Sequence, residues 1–188
     1  MDTINDKKIK SLLASFNLLK HSYEAHSETL GEIVLKSVLI DIDVAVDMWH
    51  YLLIEYRTII QSQNVTSIAG NIIEELFYTD YDRIELVLQK NQELKTILFS
   101  ECMNIESQNS YISYLIEENK LDFADELLNL LYNNQNRSDR WYIVMYCSMP
   151  REQNITFEAY ELLEKWCNKV TNVEERTKLI AKMVKYIN

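Results

Sequence analysis

Gly31-Glu32-Ile33-Val34, running on to Asp41-Ile42-Asp43, and Gly70-Asn71-Ile72-Ile73, running on to Asp80-Tyr81-Asp82, are two versions of one pattern. Gly31 to Gly70, Ile33 to Ile72, Asp41 to Asp80 and Asp43 to Asp82 are each 39 residues apart, so one register serves all four pairs. A fixed period of this length is what stacked helical repeats produce, because one helix pair cannot bury its apolar face alone and requires a neighbour. The expected fold is all-α: a right-handed superhelical array of antiparallel helix pairs, about 9–11 helices in all.

Composition agrees. Two Gly and one Pro, against 47% apolar and 26% charged residues, leave little punctuation for the turns of a sheet protein. The 188 residues suffice for one domain with a contiguous core, burying roughly 70% of the surface of the unfolded chain. The expected organisation is a single repeat domain over 1–188, with an N-terminal helix in 1–26, helix pairs over 27–170 and a capping helix over 171–188. Cys102, Cys147 and Cys167 are odd in number and widely spaced, which argues against a disulfide framework or a zinc site. No apolar leader precedes Lys10 and no run of about 18 apolar residues occurs, so a soluble, cytoplasmic protein is expected.

The net charge of −10 is concentrated in the middle of the chain. Residues 1–20 carry four Lys against two Asp, residues 164–188 six Lys or Arg against three Glu, and residues 21–163 nine basic against 24 acidic residues. Nucleic acid requires a basic track to displace condensed counterions, so it is an unfavourable ligand here, and a basic protein is the natural complement. Acidity for solubility alone is the plainer explanation of the same charge.

Residues 4–25 place Ile9, Leu12, Leu13, Phe16, Leu19 and Tyr23 at helical steps, forming one apolar stripe. Ser27 is the expected N-cap of the next helix, whose Leu30, Ile33, Val34, Ser37 and Val38 form a buried face. A third helix, from Val44 to about Gln61, is the most apolar, with Met48, Leu52, Ile59, Trp49, Leu53 and Tyr56. Gln61 to Asn64 break the pattern, and the second copy ends in a helix capped by Asp80 or Asp82, the latter with Glu85 in a capping box. A less regular helix with Leu94, Ile97 and Leu98 follows Asn91.

The third copy runs through Ile112, Leu115 and Ile116 to Asn119, a left-handed C-cap, with Asp122 as the following cap. Its Ala124, Leu127, Leu128 and Leu131 return 35 residues later as Ala159, Leu162, Leu163 and Trp166, in a helix that Thr156 caps. Between them, Trp141 to Cys147 form a helix that Pro150 stops. Thr171 and Glu174 spell a capping box for the last helix, whose Lys178, Lys182 and Lys185 complement its C-terminal dipole. In period and helix pairing, residues 27–170 resemble the two-helix α-solenoid class of HEAT and TPR-like repeats. The spacing of 39–40 lies nearer HEAT, and the TPR pattern of tryptophan, glycine, tyrosine and proline is absent.

No catalytic motif is present. His21, His26 and His50 lack zinc-site spacing, and the two D-x-D pairs lack the turn glycine and distal glutamate of a calcium loop. Helix capping accounts for both pairs. Two glycines cannot build a phosphate-cradling loop, and no nucleophile signature occurs, so no enzyme, metal or cofactor is expected. The remaining signal lies on the surface: Asp47, Glu126 and Glu161 each precede a core position, Met48, Leu127 or Leu162. In a stacked array these acids align, with Asp125 and Glu158 beside them, although charge on an outer helix face also serves solubility alone. The expected function is a non-enzymatic protein-binding module, most concretely an acidic immunity-type inhibitor of a basic toxin or nuclease. The alternative is a scaffold or chaperone holding a peptide in the groove of the array, and an Asp-dependent hydrolase or transferase is the remote third.

Overall fold

The computed structural model describes residues 3–55, 80–133 and 155–186. Among these every regular element is helical and no strand occurs. Nine α-helices are described: α1 Ile4–Leu19, α2 Tyr23–Val38, α3 Ile42–His50, α4 Tyr81–Lys90, α5 Gln92–Ile97, α6 Ile105–Glu117, α7 Leu121–Asn133, α8 Phe157–Cys167 and α9 Val173–Met183. The first helix expected of the second copy, from about Thr66 to near Tyr78, the break at Gln61–Asn64 and the Trp141–Pro150 segment lie outside the described residues. The chain divides into two compact units, Met1–Met103 and Asn104–Asn188, each described by itself.

In the first unit α1 opens with a capping box that satisfies two otherwise orphaned N–H groups. Asp6 N–H donates to Thr3 Oγ1 (3.1 Å), and Thr3 N–H donates to the Asp6 carboxylate (2.7 Å). Among the members of the expected stripe from Ile9 to Leu19 only Phe16 is fully buried, its ring meeting Tyr51 edge-on at 6.0 Å. Ile9, Leu12 and Leu19 are half-buried and Leu13 is exposed, so α1 packs along one narrow edge. Helix α2 is kinked at His26 (φ −134°, ψ 22°), one residue before the expected start at Ser27. Its Leu30, Ile33, Val34, Ser37 and Val38 are buried as the periodicity requires, and they pack on α3. Gly31 is buried inside α2, not in a turn.

Helix α3 buries Ala45, Val46, Met48 and Trp49 and then widens into a π-helical turn, Tyr51–Glu55, that buries Leu52 and Leu53. The expected uniform helix from Val44 is therefore interrupted after His50 by a wider i→i+5 turn, a form rare in proteins. A second π-helical turn, Leu98–Cys102, continues α5 and is the irregularity that the sequence shows after Asn91.

The capping aspartate is the first of each pair. Asp41 Oδ1 accepts from the N–H groups of Asp43 (3.1 Å) and Val44 (3.2 Å), and Asp80 Oδ1 accepts from Arg83 N–H (3.0 Å). Asp41 and Asp80 hold extended backbone, as an N-cap must, so the helices begin one residue later and Asp82 lies inside α4. The cap expected of Asp82 with Glu85 therefore belongs to Asp80. In the third copy the place equivalent to Asp41 is Lys120, and Asp122 falls in the first turn of α7. A first-turn aspartate (Asp43, Asp82, Asp122), favoured there by the helix dipole, is thus what all three copies share.

The second unit is built from α6 to α9. Asn104 caps α6 by accepting from Ser107 N–H at 2.8 Å. Asn119 has φ +56°, the left-handed residue expected there. Around it Lys120 N–H donates to the Leu115 carbonyl (2.7 Å) and Asn119 N–H to that of Ile116 (3.1 Å), the paired bonds of a Schellman motif. Ala124, Leu127, Leu128 and Leu131 of α7 and Ala159, Leu162, Leu163 and Trp166 of α8 are all buried, and the two helices pack together. Thr156 caps α8 through Ala159 N–H (3.2 Å). Helix α9 is capped by Asn172, which accepts from the N–H groups of Glu174 and Glu175, and not by Thr171. An asparagine carbonyl there reaches two donors, whereas Thr171 stands one residue too early. Leu179 and Met183 are buried, while Val173, Ile180 and Val184 are exposed, so the outer face of α9 is not polar throughout.

Candidate protein-binding surface

The seam of α7 with α8 explains where the acids of the second unit point. Period and burial place one face of each helix inward, and the residues just outside that face meet across the seam. Asp125 lies there. Its Oδ1 accepts from Trp166 Nε1 at 2.8 Å, and its Oδ2 pairs with Lys165 Nζ at 2.6 Å. Trp166 is wholly buried, so without Asp125 its indole N–H would be stranded. Asn129, one turn on, donates Nδ2 to the Asp125 carbonyl at 2.9 Å, and its Oδ1 accepts from Lys169 Nζ at 3.4 Å. Lys169 also stands over the rings of Trp166 (3.9 Å) and Tyr132 (4.6 Å), within cation–π range.

Asp125 is therefore a seam residue, with both carboxylate oxygens occupied inside the protein. Glu158 and Glu161 of α8 are exposed, and a spacing of three places them on one helix face. Glu126 is half-buried on α7 and has internal interactions. Its neighbour Leu127, like Leu162 beside Glu161, is buried as expected. Asp47 belongs to the first unit, exposed on α3 immediately before buried Met48. Glu158 and Glu161 are thus the exposed acids of the predicted set in the second unit, and Glu117, Glu118 and Asp122 are exposed at the α6–α7 turn.

Lys165, Lys169 and Asn129 are functional to this arrangement and absent from the sequence reading. Spacing gave no signal for them: Asp125 to Lys165 and Asn129 to Lys169 are both 40 residues, five more than the 35 that relates the buried faces of α7 and α8.

Among the described residues no group of three or more His, Cys, Asp or Glu could hold a metal ion. His21 Nδ1 lies 3.4 Å from the Tyr51 hydroxyl, and Lys20 covers the same ring at 4.5 Å, which ties the end of α1 to the first π-helical turn. Burial pushes the Cys167 thiol above its ordinary value, against the opposing charge of Arg176, so it remains a protonated core group. No described helix is long and apolar enough to cross a membrane.

The chain matches no protein-family model, and no solved structure matches it. It is similar to vacuolar protein sorting-associated protein 3 of Saccharomyces cerevisiae, 28% identical over 149 residues, an alignment covering 75% of this chain and 14% of that protein. The chain thus corresponds to a small part of the length of the curated relative that it matches.

Proposed function

We propose that the chain is a non-enzymatic protein-binding module in which helix pairs stack as a solenoid and an acidic face recognises a basic partner. The observation that carries this reading is the second unit's division of labour. The same four places of α7 and α8 are buried, Asp125 is consumed at their seam, and Glu158 and Glu161 are left together on the outside. Paired acids without a buried counter-charge raise association rates with a basic surface and suppress wrong partners.

Two versions remain. A scaffold that holds partner proteins is favoured by the similarity to part of a protein named for vacuolar protein sorting. An immunity-type inhibitor of a basic toxin or nuclease is the sharper version, supported by the acidic balance of residues 21–163. Affinity capture from the native host, with Glu158→Lys/Glu161→Lys as control, tests the shared part. A basic protein should be retained by the native chain and lost by the charge-reversed one, whose circular dichroism stays unchanged. Its association rate should fall by about tenfold or more between low and physiological salt. Undiminished capture by the variant overturns the assignment of the face. If the captured protein has nuclease or toxin activity that the chain abolishes stoichiometrically, the inhibitor version holds; a component of protein sorting supports the scaffold.

A further inference from the structure

The first unit carries a surface of opposite character. A groove of about 410 Å³ opens between α1, which contributes Lys8, Ser11 and Leu12, and the end of α2, which contributes Lys36, Leu39 and Ile40. Its floor is apolar: Leu12 and Ile40 are half-buried, and Leu39 is 57% exposed, a large hydrophobic side chain left open beside a concavity. Its rim is basic. Lys8 makes no ion pair with a described residue, and Lys36 meets only Glu32 (3.0 Å), one turn away on the same exposed helix face. Such an exposed i,i+4 pair is worth only tenths of a kcal/mol and exchanges readily for another carboxylate. The nearest capping acid, Asp41, is already engaged by the N–H groups of Asp43 and Val44. Local charge agrees: residues 1–20 carry four Lys against two Asp in a chain of net charge −10, and one of those two, Asp6, is spent in the α1 capping box.

We infer that this groove docks an acidic peptide segment that presents a bulky apolar side chain flanked by carboxylates. The volume lies within the range of pre-formed ligand sites and admits a leucine or phenylalanine side chain with the backbone on either side of it. Apolar contact with Leu12, Leu39 and Ile40 supplies the affinity, and Lys8 and Lys36 select the flanking charge. A basic peptide meets Lys8, and the Lys36–Glu32 pair, at the same rim. This surface is independent of the acidic face of α8 and takes a partner of the opposite charge.

The test uses the full chain, isotopically labelled, titrated with a capped peptide of sequence Glu-Asp-Leu-Phe-Asp-Glu and followed by amide chemical shifts. Shifts should concentrate at residues 8–12 and 36–40, with Kd on the order of 100 μM at low salt, as for a small contact. Leu39→Glu, at an exposed place that tolerates the change, should weaken binding by about tenfold, and Lys8→Glu/Lys36→Glu by about fivefold. Replacing Leu-Phe of the peptide by Ser-Ser should abolish binding. The inference is overturned if about 1 mM peptide moves no groove resonance, or if the Ser-Ser peptide or a lysine-for-acid counterpart binds equally well. It is also overturned if Leu39→Glu leaves affinity unchanged, or if the same resonances respond to phosphatidylserine vesicles and not to the peptide.

Discussion

The seam of α4 in the first unit and the seam of α8 in the second solve one problem with different chemistry. In both, the start of the incoming helix reaches back to the end of an earlier one. Arg83 of α4 donates Nη1 to the Val38 carbonyl at 2.8 Å and Nε to Asp80 at 3.2 Å, whereas Thr156, the cap of α8, donates to Asn119 Oδ1 at 3.1 Å. Each seam also has a cross-helix ion pair, Asp43–Lys90 and Asp125–Lys165, both at 2.6 Å. The distances are equal and the settings are not. Asp43 is 73% exposed and lies on the rim, while Asp125 is 25% exposed and also holds the indole of buried Trp166. Burial and the second partner, not separation, decide what such a pair is worth.

The widest gap between the seams should come from Asp125→Ala, which strands a buried indole N–H and frees Lys165. It is expected to cost about 2–4 kcal/mol in denaturant unfolding, and Trp166→Phe in the same background should recover part of the loss. A cost of a few tenths would equate Asp125 with Asp43 and erase the contrast. Arg83→Met removes a charge-assisted bond to the end of α2 and should cost about 1–2 kcal/mol, with the first unit the more exchange-labile in amide exchange. Lys90→Met should stay within about 0.5 kcal/mol, and even that cost should shrink as salt is added. The smallest effect is at Asp6, whose carboxyl the Thr3 backbone N–H and hydroxyl hold below the ordinary aspartate value. Its folded value is depressed, so its stabilisation is present above the unfolded pKa and is lost as pH falls through the folded one. Carboxyl NMR should show Asp6 titrating below the ordinary aspartate value, and Thr3→Ala should move it only part of the way back, because the Thr3 backbone N–H remains.

The apolar plan was legible because it is periodic. Leu30, Ile33 and Val34, the Ala124–Leu131 set and the Ala159–Trp166 set were each readable as one helix face and are buried. Asn119 was readable too, since few residues other than glycine tolerate a left-handed cap. Caps were harder to read. At Asp41/Asp43, Asp80/Asp82 and Thr171/Asn172 two neighbours can both cap, and only the backbone path selects Asp41, Asp80 and Asn172. The π-helical turns at Tyr51–Glu55 and Leu98–Cys102 left no clear mark, because one added residue per turn shifts the apolar pattern by less than the scatter of a helical stripe.

The candidate surface divides the same way. Charge and spacing alone put Glu158 and Glu161 on an outer face, and they are exposed. The same spacing offered Asp125 as their companion, and the fold withdrew it, because Trp166 and Lys165 arrive from α8 to occupy both its oxygens. The groove of α1 was invisible to periodicity, which placed Leu12 and Leu13 in one stripe without showing that α1 would pack by an edge and leave Leu39 open. By itself the sequence determined an all-helical chain with apolar residues at helical spacing on one face of each helix, since local steric preference and hydrophobic spacing act over a few residues. Tertiary structure alone decided which polar groups are spent inside and which remain exposed, because that depends on residues about 40 positions apart in the chain meeting within hydrogen-bond distance.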